Sequence, residues 1–241
     1  MKQFQKNLKI CAAFIFMSAA GVFQAQAQSK IFNMPSTEIV APGKLEIALV
    51  SKFKPYDEEA KKKFSSFVPR MTYGLRKNIE IGFDVIGNNQ PGTDNTTLIQ
   101  TVKWKFYENE KNKTSVVMGN SLHIPLRHKK YNLGDYFYVA GSKVLSTGTK
   151  LTAGSYFFTK NVVAKNAARG GGQFGLEQKI NAKLGVAAEW YTGKHSYGYL
   201  TTGFKVKLSK RLGGKFGYSV GNQKAAQGNH YFYASMAIKI K

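Results

Sequence analysis

Lys183-Leu184-Gly185-Val186-Ala187-Ala188-Glu189-Trp190 places apolar and polar or small residues at alternate positions. Leu184, Val186, Ala188 and Trp190 share one face; Lys183, Gly185, Ala187 and Glu189 share the other. Side chains on an extended strand point to opposite faces in turn, so this period of two is a strand with one oily side and one polar side. The same pattern recurs. Ile79, Ile81, Phe83 and Val85 oppose Glu80, Gly82 and Asp84, and Val102, Trp104 and Phe106 oppose Thr101, Lys103 and Lys105. Leu200, Thr202, Phe204 and Val206 oppose Thr201, Gly203, Lys205 and Lys207.

Working outward, the alternation predicts twelve stretches: 44–53, 66–76, 78–87, 97–107, 114–124, 134–145, 149–159, 172–180, 182–192, 197–208, 213–221 and 229–240. The stretch 134–145 fits least well, because it carries aromatic residues on both faces. Turn residues separate the stretches. Connections after even-numbered stretches are short, as in Arg76-Lys77-Asn78 and Ser146-Thr147-Gly148. Those after odd-numbered stretches are mostly longer and polar, Gly193 to Ser196 being the short exception. Short turns at one end and long loops at the other define an all-β, antiparallel up-and-down barrel of about twelve strands that crosses a membrane.

The chain begins with a different pattern. Lys2, Lys6 and Lys9 precede an uncharged apolar run from Ile10 to Phe23, and Ala25-Gln26-Ala27 follows. A basic start, an apolar run and a small-x-small site form a secretory signal peptide. The expected organisation is a signal peptide over 1–27 and a barrel over 28–241. Cys11, the single cysteine of the 241 residues, lies in the leader, so no disulfide or thiolate metal site is expected in the barrel.

The chain holds 36 Lys and Arg against 13 Asp and Glu, a net charge of +23. Such a surplus in a cytosolic protein points to nucleic acid. An export signal and the lack of any recognition motif argue against that partner here. A soluble sandwich would also alternate, with its oily face inside. Three features favour the inverse arrangement, a barrel in lipid. The polar face is rich in Gly, Ser, Thr, Lys and Glu. Aromatic residues sit toward both ends of the apolar face: Phe53, Phe67, Phe157 and Trp190 at one, Trp104, Phe106 and Phe216 at the other. Twelve closed strands also leave a lumen too wide for apolar side chains to fill.

On this pattern the chain resembles Gram-negative outer-membrane β-barrel proteins of the small porin and transporter kind. The resemblance covers 28–241 and implies an outer-membrane location, contact with outer-membrane lipids, and both termini on the periplasmic side. One departure is the end of the chain, Ile238-Lys239-Ile240-Lys241, where many proteobacterial barrels carry an aromatic residue.

Residues expected to line the lumen are Arg70, Glu80, Asp84, Lys103, Lys105, His123, Glu177, Glu189 and Lys205. A wet passage with surplus cations concentrates anions. The expected function is therefore a passive or facilitated pore for small anionic solutes. The alternative is a non-conducting barrel with a structural, adhesive or complex-forming role. No connection exceeds about a dozen residues, which favours an open or narrow lumen over a blocked one.

No enzymatic set is expected. Outer-membrane phospholipases carry a His-x-Ser pair on one strand, whereas His195 and Ser196 are adjacent and would point to opposite faces. His123, His128, His195 and His230 show no metal-ligand spacing, and nothing suggests a cofactor. The oligomeric state is not legible.

Overall fold

The computed structural model describes residues 29–57, 62–88, 96–126, 133–222 and 230–240. The expected leader over 1–27 lies outside them. Twelve strands follow one another: β1 Leu45–Asp57, β2 Lys62–Arg76, β3 Ile79–Asn88, β4 Thr97–Asn109, β5 Thr114–Pro125, β6 Gly134–Val144, β7 Lys150–Phe158, β8 Gly170–Lys179, β9 Leu184–Tyr191, β10 Tyr199–Lys207, β11 Leu212–Gly221 and β12 His230–Ile240. Each pairs antiparallel with its sequence neighbours, and β1 pairs with β12 from Leu45↔Ile240 to Phe53↔Phe232. The sheet closes, so no strand edge is left unpaired, as lipid demands.

The alternation sets the two faces. Phe53, Phe67, Met71, Trp104, Phe157, Trp190 and Phe216 are each between 43 and 50% exposed, on the outer surface. Glu80, Asp84, Lys103, Gln173, Glu189 and Lys215 are buried. Apolar outside and charged inside inverts a soluble β protein and rules out the soluble sandwich. Several outward rings pack in pairs, such as Phe53 on Phe232 with centroids 5.4 Å apart and Trp104 on Phe106 at 5.6 Å.

The strands match the expected stretches within a few residues, and the main differences lie at the long-loop end. There β1 and β2 continue to Asp57 and from Lys62, with a register shift between Lys54 and Asp57. The β6 irregularity also has a physical reason. Phe137 points outward, while Tyr136 and Tyr138 are buried inside the lumen.

Residues 29–42, ahead of the first expected strand, occupy the lumen and narrow it, which the short connections did not suggest. They turn back inside the barrel as a plug. Its hairpin is closed by Ile31 N donating to the Met34 carbonyl at 2.8 Å and Ser36 N to that of Ser29 at 3.0 Å. Ile31, Phe32 and Met34 have no exposed surface. The segment leaves at the short-turn end, where Pro42 bridges Gly74 of β2. A Cβ on Gly74 would sit 2.2 Å from the Ala41 carbonyl oxygen and 2.3 Å from that of Val40, so only glycine lets the linker pass. Connection length gave no warning because the occluding element is the segment ahead of β1, not a loop between strands.

Candidate functional site

The charged lumen residues converge on the plug. A barrel this wide must satisfy a peptide segment's backbone groups from its own wall, since a buried unpaired N–H or C=O is costly. Glu189 on β9 supplies the acceptor. Its carboxylate accepts the backbone N–H of Phe32 at 2.8 Å, of Asn33 at 2.9 Å and of Met34 at 2.8 Å. Three consecutive N–H groups around one carboxylate form an anion nest filled from within the chain.

Lys103 on β4 supplies the opposite. Its ammonium donates to the carbonyls of Ser29 at 3.0 Å, Ser36 at 3.2 Å and Glu38 at 2.6 Å. It also pairs with Glu80 at 2.8 Å. Glu80 in turn accepts from Ser29 Oγ at 2.6 Å and Val40 N at 2.8 Å. Arg70 donates to the Phe32 carbonyl at 3.1 Å and stands 3.2 Å from Asp84, which also pairs with Lys30 of the plug at 2.6 Å. Tyr233 Oη and Lys215 donate to the Phe32 and Lys30 carbonyls at 2.9 and 2.6 Å.

Arg70, Glu80, Asp84, Lys103 and Glu189 thus sit together as the plug's clamp. His123 lies on the cavity above, its ring 6.1 Å from that of Tyr197. Glu177 and Lys205 pair with each other nearer the short-turn end. Lys105 lies apart, paired with exposed Glu108 at 2.7 Å.

Two spaces flank the plug. On the long-loop side lies a cavity of about 320 Å³. On the short-turn side a void of about 30 Å³ is lined by Glu46, Thr72, Lys215 and Ser235. Ser29, Lys30 and Arg70 border both.

One wall of the larger cavity is aromatic. Tyr138, Tyr136, Phe158 and Tyr197 stack in sequence, with centroids 5.3, 4.8 and 5.1 Å apart and interplanar angles of 26°, 29° and 22°. Tyr136 Oη donates to Gln173 at 2.9 Å and lies 3.0 Å from Tyr191 Oη. Burial pushes the Tyr197 hydroxyl up to about 12. Sequence reasoning missed this stack; the aromatics on both faces of β6 were its only trace.

His195 does not engage Ser196. Its Nε2 lies 2.5 Å from Tyr156 Oη, its Nδ1 accepts Tyr197 N at 3.1 Å, and burial holds its pKa below the ordinary value. Among the described residues no group of three metal-ligating side chains exists.

An apolar belt around a polar, charged lumen defines the class: a transmembrane β-barrel of the bacterial outer membrane. The chain matches no protein-family model, and no curated protein matches it. Solved structures do. The KdgM porin superposes with a TM-score of 0.61 at 8% identity, over 81% of this chain and 99% of that one. The same porin in complex with disordered oligogalacturonate gives 0.59 at 7%, over 82% and 99%. An outer membrane channel from Pseudomonas putida F1 gives 0.51 at 13%, over 85% and 98%. At such identities the likeness establishes the fold.

Proposed function

We propose that this barrel is a passage for small anionic solutes, narrowed by its own residues 29–42. The observation that carries this reading is the pair of spaces bordered in common by Lys30 and Arg70. They flank the plug along the β1–β2 wall, one toward the long-loop end and one toward the short-turn end, and a route joining them would run past Lys30 and Arg70. Cations stand along it: Lys52 in the larger cavity, Lys30 and Arg70 at the narrowing, Lys215 in the smaller void. A void of about 30 Å³ has room for little more than a water molecule. Anything larger passes only when the plug shifts. The KdgM porin in complex with oligogalacturonate, an acidic saccharide, lends support from a protein of like fold.

A second reading has its own observation. The plug is clamped by charged, buried side chains on several strands, as a permanently closed barrel with a structural, adhesive or complex-forming role would require. Planar-bilayer recordings under a salt gradient separate the two. The passage predicts discrete conductance with an anion-preferring reversal potential. Silence from both the full chain and a chain lacking residues 29–42 would establish the structural role instead.

A further inference from the structure

We infer that the cavity above the plug is a binding site for a small monoanion carrying an aromatic ring. The inference rests on the passage reading for the solute's way in, and on two features of the cavity itself for its chemistry.

The first is a charge left over. Among the described residues the cavity is bordered by four cations, Lys30, Lys52, Arg70 and Lys103, and three carboxylates, Glu80, Asp84 and Glu189. Lys30 and Arg70 share Asp84, and Lys103 pairs with Glu80. Glu189 is taken up by the three backbone N–H groups of the plug. Lys52 has no ion pair among the described residues; its ammonium lies 5.6 Å from the centre of the Tyr231 ring. Four cations against three carboxylates leave the cavity one positive charge in surplus, and one monoanion beside Lys52, the cation without an ion pair, balances it. A dianion would overshoot that balance.

The second is the stack of Tyr138, Tyr136, Phe158 and Tyr197 on another wall. It offers ring faces and edges to a flat guest, in the offset and edge-on contacts that aromatic groups favour. Phe158, Ile86 and Ile99 offer no hydrogen bond, and the hydroxyls of Tyr136 and Tyr191 are already engaged. Much of this wall is ring carbon, against which a sugar gives up more bound water than an aromatic ring does. An aromatic ring loses nothing there. Its carboxylate is then taken by Lys52, which lines the same cavity.

Benzoate is the probe. Titration calorimetry on the folded full chain in detergent, with empty micelles as the blank, should give saturable one-to-one binding. Acetate, benzyl alcohol and glucuronate should each bind at least tenfold more weakly. Lys52→Gln should bring benzoate down to the level of benzyl alcohol, and Tyr197→Leu should bring it toward acetate. Glucuronate equal to benzoate, an unchanged Lys52→Gln variant, or no saturable benzoate binding by the unaltered chain would each overturn the site. The probe series on the unaltered chain decides even where a variant fails to fold. Binding is read without conductance, so the two readings fail separately. Conductance without benzoate binding overturns this site and leaves the passage standing; benzoate binding in a silent barrel does the reverse.

Discussion

At the scale of single residues, the sequence gives direction and withholds partners. Period-two alternation puts Glu80, Lys103 and Glu189 on the inner face, because a strand's geometry allows nothing else. What they touch depends on residues 29–42, which have no period and so announce no position. Glu189 shows the difference. Read as one charge in a wet passage, it is instead saturated by Phe32, Asn33 and Met34. Glu189→Gln keeps the shape, removes the charge and offers those N–H groups one carbonyl oxygen. A hydrogen bond to a charged group contributes about 1.5–3 kcal/mol. Losing about 2 kcal/mol shifts the docked-to-undocked ratio of the plug by roughly 30-fold. Amide hydrogen exchange at residues 31–36 should accelerate by that order while strand amides stay protected. Unchanged protection of the plug would show that Glu189 does not hold it.

At the scale of elements, the strands were legible because each is a local pattern bounded by turn residues, and closure followed from lipid's demand that every backbone group be paired. The plug was not, since beyond its own short hairpin it is held by groups on the wall. That asymmetry gives a prediction. Every strand hydrogen-bonds to two others around a closed ring, and none of those ladders uses residues 29–42. Deleting 29–42 should therefore leave a folded barrel, seen as heat-modifiable electrophoretic mobility and an unchanged strand signal in circular dichroism. Its single-channel conductance should exceed that of the full chain several-fold, because the narrowing is removed. A deletion that fails to fold would show that the segment is needed to form the wall and is not merely docked in it.

At the scale of the whole molecule, the surplus positive charge is divided unevenly. Inside, many charges are paired: Lys30 and Arg70 share Asp84, and Lys103 pairs with Glu80, Lys150 with Glu38, and Lys205 with Glu177. At the short-turn end Lys77, Lys111, Lys113, Lys179, Lys183 and Arg211 are exposed. The net field over the passage therefore comes from the inner cations in excess of their carboxylates, Lys52 among them, and from this rim. Exposed charges act through solvent, and salt screens them; the Debye length is about 10 Å at 0.1 M and about 3 Å at 1 M. Anion preference in bilayer recordings should accordingly be clear at 0.1 M and fade toward 1 M. Lys179→Gln with Lys183→Gln should lower it at 0.1 M and leave it almost unchanged at 1 M. Lys52→Gln should lower it at both, because a charge inside a narrow, poorly solvated passage is screened less than one at the rim. Arg70 and Lys103 are unsuitable for this test, since replacing either also loosens the plug. A preference for cations at 0.1 M, or a preference insensitive to both Lys52 and the rim, would mean that neither sets the ion selectivity of this barrel.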